Sequence, residues 1–303
     1  MIPLRKKKIL CSVTSGLGNQ LFQYAAALHW KKTHGGEISI DKSWYHVQRH
    51  TPRREYRLEL LNVTESQVPL PLGSALMVFR ALSKRYPVPA ASLLRRALGI
   101  SAITEAETYR RDRRFESPDA RGDICWLNGY WQTADHFESV REELLARIRP
   151  NFTVSGGYSE YLERVGTSGS VFVHIRRGDY AKFGNRVLSP DYYRKASGHF
   201  PEGTEWFVFS EDSDWARENI RLPGKSHHVE YSSQNRDVED LLLMASCAGG
   251  ILANSSYSWW AAALGNRPRK RIVSPMYWWG DRKSRYPDLH LKDWIAVDNL
   301  AED

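Results

Sequence analysis

The strongest constraint on this chain is a regular alternation in its second half. "SVFVHI" (170–175), "EWFVFS" (205–210), "HHVEY", "GGILAN" and "RIVS" are short runs with strand character. Between them stand "SPDYYRKASGHF", "DSDWARENI", "RDVEDLLLMASCA" and "SSYSWWAAALG", each of which reads as a helix. Ser189 fits the N-cap of the first, with the following Pro190 at its first helical position. Strands that alternate with helices form parallel sheets covered on both faces, which demands strands apolar along their whole length.

The first half carries a shorter version of the same pattern. "KKILCSV" reads as a buried strand, "TSGLGNQ" as a loop, "LFQYAAALHWKKTHG" as a helix ending at glycine, and "EISID" as a second strand. That is a βαβ unit. Residues 44–60 read as an irregular basic and aromatic loop. Residues 72–99 read as helical, broken by Pro87 and Pro89. "DICWLNGYW" is a further strand, and "TADHFESVREELLARIR" an amphipathic helix. Glycine and serine cluster between 150 and 170, which puts a boundary there: a first domain over 1–155 and a second over 168–303. The expected fold class is α/β, with two Rossmann-like domains facing a central cleft.

In such folds ligands bind beyond the carboxyl ends of the strands. After the first strand comes "SGLGNQ". It lacks the third glycine of a dinucleotide fingerprint. Gly16 and Gly18 still allow close backbone approach, and Asn19 and Gln20 place amides near a helix N-terminus, where anions are favoured. A tight strand-to-helix turn explains the same residues. After "VFV" comes His174, then Arg176, Arg177, Gly178 and Asp179. A guanidinium binds phosphate oxygens in a bidentate way, so Arg176 is a candidate for gripping a diphosphate. Asp179 could orient an arginine, bind a hydroxyl or accept a proton. The "RGD" within this stretch abuts a buried strand, which excludes an adhesion tripeptide on a loop tip. After "WFVF" come Ser210, Glu211 and Asp212, a carboxylate position suited to a guanine edge or ribose hydroxyls, or to capping the next helix. After "GGILA" come Asn254, Ser255 and Ser256, where hydroxyls and free N–H groups at a helix start form an anion seat.

Other chemistries find little support. The three cysteines, Cys11, Cys125 and Cys247, are far apart and sit in apolar runs, so neither a disulfide framework nor a zinc site is expected. His227 and His228 are neighbours in a strand and face opposite ways. "DSD" (212–214) matches a metal–diphosphate motif but runs straight into a helix. The 43 Lys+Arg against 35 Asp+Glu fit an anionic partner without naming it. The 11 Trp and 15 Tyr suit carbohydrate stacking, although core packing is the plainer reading of any one of them. No nucleic-acid motif accompanies the basic segment "WYHVQRHTPRREYR", which reads as lining an acceptor or meeting an anionic membrane surface. The N-terminal apolar run is too short for a signal peptide, and the expected location is the cytoplasm, with peripheral contact at the inner face of the cell membrane.

Taken together, "GLGNQLFQYAAA", "GYWQTADHF", "HIRRGDY", "SPDYY", "FSEDSDW" and "DLLLMASCAGGILANSSYSWWAAALG" resemble the inverting fucosyltransferases, above all the family that contains bacterial and animal α-1,2-fucosyltransferases. The segments span almost the whole chain. The resemblance implies a GT-B fold, GDP-L-fucose as donor, a terminal β-galactoside as acceptor, inversion at the anomeric carbon, and no cofactor or required metal. By that resemblance Arg176 holds the β-phosphate and Arg177 braces the loop through Asp179. His174 and Asp212 contact the guanosine, and Asn254, Ser255 and Ser256 belong to the phosphate seat. Gly18 and Asn19 reach the donor from the first domain. Asp179 is the candidate general base. The chain departs from the family pattern at Gly249, where histidine is expected, at Ala261 in place of glycine, at Glu211 in place of the commoner aspartate, and at Ser15 in place of glycine.

Overall fold

The computed structural model describes residues 7–49, 53–85, 99–116, 123–166, 169–178, 180, 187–265, 267 and 270–300; over 79–85 it describes the course of the backbone alone. The chain divides into two compact units, Met1–Arg149 and Pro150–Asp303.

The first unit is built on β1 (Lys8–Ser12), α1 (Leu17–His34), β2 (Glu37–Asp41), a helical turn α2 (Trp44–Val47), β3 (Ser66–Gln67), α3 (Leu70–Arg85), β4 (Ile100–Thr104), β5 (Ile124–Asn128) and α4 (Ala134–Arg147). Its strands pair in the order β3-β2-β1-β5-β4, all parallel. The direction of winding reverses between β1 and β5. The carboxyl ends of three strands are locked by one buried network. Ser12 Oγ donates to Asp41 Oδ2 at 2.9 Å, Trp126 Nε1 donates to Ser12 Oγ at 2.7 Å, and Ser43 Oγ donates to Asp41 Oδ1 at 2.6 Å. The "44–60 loop" holds more order than its sequence suggests. Besides α2 it contains a 3-10 turn over Leu58–Leu61, and its backbone is pinned by side-chain amides. Gln48 Nε2 donates to the Arg54 carbonyl at 2.6 Å, and Gln20 Nε2 to the Glu55 carbonyl at 2.7 Å. The proline-broken part of the 72–99 reading, residues 86–98, lies outside the described residues.

The second unit comprises α5 (Gly156–Val165), β6 (Ser170–Ile175), α6 (Pro190–Ser197), β7 (Glu205–Ser210), α7 (Ser213–Asn219), β8 (Ser226–His228), α8 (Arg236–Ser246), β9 (Gly249–Ile251), α9 (Ser256–Ala263), β10 (Arg271–Pro275) and β11 (Ile295–Val297). The strand order is β8-β7-β6-β9-β10-β11, again all parallel. This is the doubly wound dinucleotide-fold order, with its switch point between β6 and β9. Every residue of β6 is buried, as an interior parallel strand requires. Gly250 lies opposite Phe172 in the β6–β9 register, and the Phe172 ring fills the space that a Cβ on Gly250 would need.

Helix α5 lies between the expected domain bounds of 155 and 168. Gly156–Val165 is helical and belongs to the second unit, packed on α8 and β6. Ser155 caps it by accepting from Tyr158 N at 3.1 Å, while the buried Glu239 of α8 receives Ser155 N at 2.7 Å and Ser155 Oγ at 2.8 Å. The two glycines that open the segment suggest a linker, and the tertiary contact to Glu239 outweighs their poor helix propensity.

Two histidines join α1 to α4. His29 Nδ1 and His136 Nδ1 are 3.0 Å apart, so one ring donates and the other accepts. Burial, then the neighbouring His29, pushes His136 down to about 3, and burial also lowers His29. Asp112, Arg111, Glu116, Lys32 and His34 are the charged or titratable groups acting on the pair. A histidine held neutral in the native state favours folding above its unfolded value of about 6.5 and loses that contribution as pH falls towards the folded value. Urea titrations between pH 7 and pH 4 should show the first unit losing stability with a slope of up to about 1.4 kcal/mol per pH unit from His136. His136→Gln should flatten that slope by one proton, and an unchanged slope would contradict the assignment.

Candidate functional site

The register of β6 against β7 sets the charges of the site. His174 pairs with Phe209 and Ile175 with Ser210, the last residues of the two strands. One step further, Arg176 stands against Glu211, and two steps further Arg177 stands against Asp212. Those are the ion pairs formed: Arg176 Nη1–Glu211 Oε1 at 3.0 Å and Arg177 Nε–Asp212 Oδ2 at 2.9 Å. The two arginines differ in surroundings. The Arg177 guanidinium lies 3.8 Å above the centre of the Trp215 ring, and its partner Asp212 caps α7 by accepting from Trp215 N at 3.4 Å. Arg177 is therefore bound into the framework, through Asp212. Asp179, the partner implied by the family pattern and the candidate base, lies outside the described residues. Arg176 is about a quarter exposed and lies 5.4 Å from the Tyr180 ring centre.

His174 is the last but one residue of β6 and is buried, with its Nδ1 lacking a hydrogen-bond partner. Burial, then the Arg176 charge, pushes it down to about 3, so the imidazole is neutral. Its ring lies 5.5 Å from that of Tyr257 in the first turn of α9. Ser255 is the N-cap of this helix, accepting from Tyr257 N at 3.3 Å, and Ser256 is its first residue. Asn254 is turned away from solvent, and its Nδ2 donates to the Trp278 carbonyl at 2.8 Å. It braces the turn between β9 and α9. The switch point thus collects a guanidinium, a neutral imidazole and a helix N-terminus, which together favour an anion.

Gly18 and Asn19 belong to the first unit, in the first turn of α1. Gly18 is buried. The Asn19 amide donates to Ser15 Oγ at 3.0 Å and its Oδ1 accepts from Gln132 Nε2, so this side chain ties the β1 and β5 ends of the sheet together. Ser15 has φ +69°, the left-handed region where glycine is at ease, and its hydroxyl accepts from the Asn19 amide. Glu105, at the end of β4, accepts from the backbone N–H groups of Tyr130 and Trp131 at 2.8 Å each, and burial raises it above the ordinary carboxylate range. This buried anchor for the "GYW" turn is not evident from the sequence.

The structure brings His174, Arg176, Arg177, Asp212, Asn254, Ser255 and Ser256 to one edge of the second sheet, and it assigns Arg177, Asp212 and Asn254 structural contacts. Glu211 and Gly178 join the group, and a continued β6–β7 register is the signal that finds them. In the "DSD" stretch, Asp212 is taken by Arg177, while Asp214 points to solvent beside Arg217. Among the described residues no group of three or more His, Cys, Asp or Glu is placed to hold a metal ion. Trp259 and Trp260 are fully buried core residues. Gly249 leaves room that the Phe200 ring fills, so Phe200 occupies the place of a side chain there.

Two parallel doubly wound units in one chain are the architecture of the GT-B class of glycosyltransferases. The fold is similar to that of a mutant of Arabidopsis thaliana FUT1 in complex with GDP, with TM-score 0.52 and 10% identity over 94% of this chain and 75% of that one. It is also similar to NodZ, an alpha-1,6-fucosyltransferase of Bradyrhizobium soaked with GDP-fucose, with TM-score 0.50 and 14% identity over 86% of this chain and 92% of that one. In sequence, the chain is 29% identical to the O-antigen biosynthesis glycosyltransferase WbnK of Escherichia coli over 94% of its length and 99% of the relative's. It is 26% identical to an alpha-1,2-colitosyltransferase of Escherichia coli over 96% and 99%. Residues 8–298 match the model of glycosyl transferase family 11. The chain belongs to that family and is a glycosyltransferase.

Arg177→Ala removes both the stack on Trp215 and the partner of Asp212. It should lower the stability of the second unit by about 1–2 kcal/mol, the sum of a cation–π contact and a partly exposed ion pair. A denaturation midpoint equal to wild type would show that Arg177 is not part of the framework.

Proposed function

We propose that this chain moves L-fucose from GDP-L-fucose to the 2-OH of a terminal β-galactoside, with inversion and without a metal. The observation that carries the reading is the position of Arg176: at the carboxyl end of β6, at the switch point, beside the neutral His174 and the N-terminus of α9. Relatives named as galactoside alpha-(1,2)-fucosyltransferase 1 of Saimiri sciureus (28% identical over 46% of this chain) and alpha-1,2-colitosyltransferase support the linkage and the class of sugar. GDP in the FUT1 complex and GDP-fucose in the NodZ soak support a guanosine diphosphate donor. The colitosyltransferase relative favours a second reading in which the transferred sugar is colitose.

The acceptor hydroxyl attacks the anomeric carbon from the face opposite the diphosphate, through an oxocarbenium-like transition state. Negative charge grows on the departing GDP. Arg176 and the free N–H groups at the start of α9 stabilise it there, and the Ser255 and Ser256 hydroxyls belong to that seat. Neutral His174 offers a hydrogen bond without adding a second cation. Asp179 is the proposed base or loop brace. Among the described residues no helix is long and apolar enough to cross a membrane. The proposed location is cytoplasmic with peripheral contact at the inner membrane face through the basic segment around the exposed Val47, which co-sedimentation with anionic vesicles tests.

The deciding assay offers GDP-fucose and a colitosyl donor with a panel of galactosides, followed by linkage analysis of the product. Arg176→Ala should lower turnover by about a hundredfold or more while the protein stays folded, the usual loss for one transition-state donor. Chelator should leave the wild-type rate unchanged. Near-native turnover of the variant, or loss with chelator that Mn²⁺ restores, would overturn the mechanism.

A further inference from the structure

Glu211 stands at the site in a way the transfer reaction does not itself require. Its carboxylate has no hydrogen-bond or ion-pair partner among the described residues other than Arg176, at 3.0 Å. Both side chains are partly exposed, 25% for Arg176 and 33% for Glu211. Asp212, its neighbour, is held by Arg177 and by the N-terminus of α7. Among the described residues Glu211 is held by the cation alone. Gly178 makes the pose feasible, because a Cβ at that position would stand 2.5 Å from Glu211 Oε1. The glycine of "HIRRGDY" therefore leaves the space into which the carboxylate folds.

We infer that Glu211 is a placeholder for the donor's diphosphate: it neutralises Arg176 in the empty site, is displaced when the diphosphate binds, and returns as the nucleoside diphosphate leaves. The inference rests on the reading of Arg176 as the diphosphate-binding group. A carboxylate and a phosphate oxygen compete for the same guanidinium donors, and each repels the other at short range. A base role does not fit this position. Inverting displacement needs the base on the face of the sugar opposite the leaving group, whereas Glu211 lies against the arginine that holds the leaving group. Displaceability sets the effect: the empty-site charge pair weakens diphosphate binding and speeds product release, at little cost to folding, because a partly exposed pair is worth at most about 1 kcal/mol.

The test is calorimetric titration of wild type, Glu211→Gln, Gly178→Ala and the double variant with GDP and, separately, with inorganic pyrophosphate, with melting followed in parallel. Glu211→Gln keeps the shape and removes the charge. Gly178→Ala evicts the carboxylate by filling its space. Each should bind both probes more tightly, by roughly fivefold for the loss of an exposed ion pair. The double variant should gain no more than the better single, since both remove one competitor. In steady state the KM for donor and the inhibition constant for GDP should fall together, with no gain in kcat. A purely structural role would not tighten binding. Unchanged or weaker binding in Glu211→Gln overturns the inference and makes Glu211 a support that orients Arg176. If wild type binds pyrophosphate but not GDP, the nucleotide reading fails while the pyrophosphate arm still judges Glu211. Binding of neither probe by wild type overturns both.

Discussion

The parallel pairing of β6 with β7 is the constraint from which the site follows. The strands run in step from Ser170↔Glu205 to Ile175↔Ser210, and the chain leaves both at the same level. Two arginines after one strand and two carboxylates after the next then fall opposite each other. The register itself comes from burial. Val171, Phe172, Val173, Trp206, Phe207 and Val208 are all buried, and side chains of this size contribute about 1.5–3 kcal/mol each on leaving water. The ion pairs at the edge are partly exposed and worth at most about 1 kcal/mol apiece. Core packing thus positions the arginines, and the salt bridges record the position. A slip of one residue would turn each core side chain to the other face of the sheet and draw Arg176 inward, which is why the register is strongly specified.

The two arginines then divide the work. Arg177 has a flat aromatic surface, Trp215, and a carboxylate that is itself fixed as a helix cap. Its guanidinium is committed to holding the start of α7 against the end of β6. Arg176 has a flexible glutamate as its acidic partner and stands partly in solvent. One is a fastener and the other the group proposed to face the donor, although the sequence writes them as a doublet. The same division appears in the first unit, where amides that look like ligand donors serve as fasteners. Gln20 spans to the backbone of Glu55 and Arg57, and Gln23 receives Thr14 N and donates to the Gly129 carbonyl.

Much of this was legible in the sequence, for a physical reason. Fully buried parallel strands need apolar residues along their whole length, so "SVFVHI" and "EWFVFS" announce themselves, and Ser189–Pro190 marks a helix start by local chemistry alone. Elements set by distant partners were not legible. Helix α5 begins with two glycines and depends on Glu239, more than seventy residues away along the chain. Short β3, β4 and β11 carry too few residues to show a period. Asn254 lies in a recognisable motif, yet its amide is claimed by the Trp278 carbonyl, a contact between side chain and distant backbone that no local pattern encodes. The sequence pattern groups these residues at strand ends but does not encode which of them face outward.

The electrostatics of the switch point explain why a histidine suits the place beside Arg176. A protonated imidazole there would be a second cation, and like charges a few ångströms apart at a protein-surface dielectric repel by roughly 4 kcal/mol. Burial and the guanidinium act in the same direction and keep His174 neutral. Nδ1 is buried and has no hydrogen-bond partner among the described residues. With the imidazole neutral, the positive potential is concentrated on Arg176 and on the N-terminus of α9, both at the carboxyl end of the sheet, where the proposed diphosphate leaving group would gain charge. The Glu211 carboxylate, 3.0 Å from Arg176, opposes that potential. If Glu211 is the placeholder inferred above, its carboxylate offsets part of the Arg176 charge until the diphosphate takes its place.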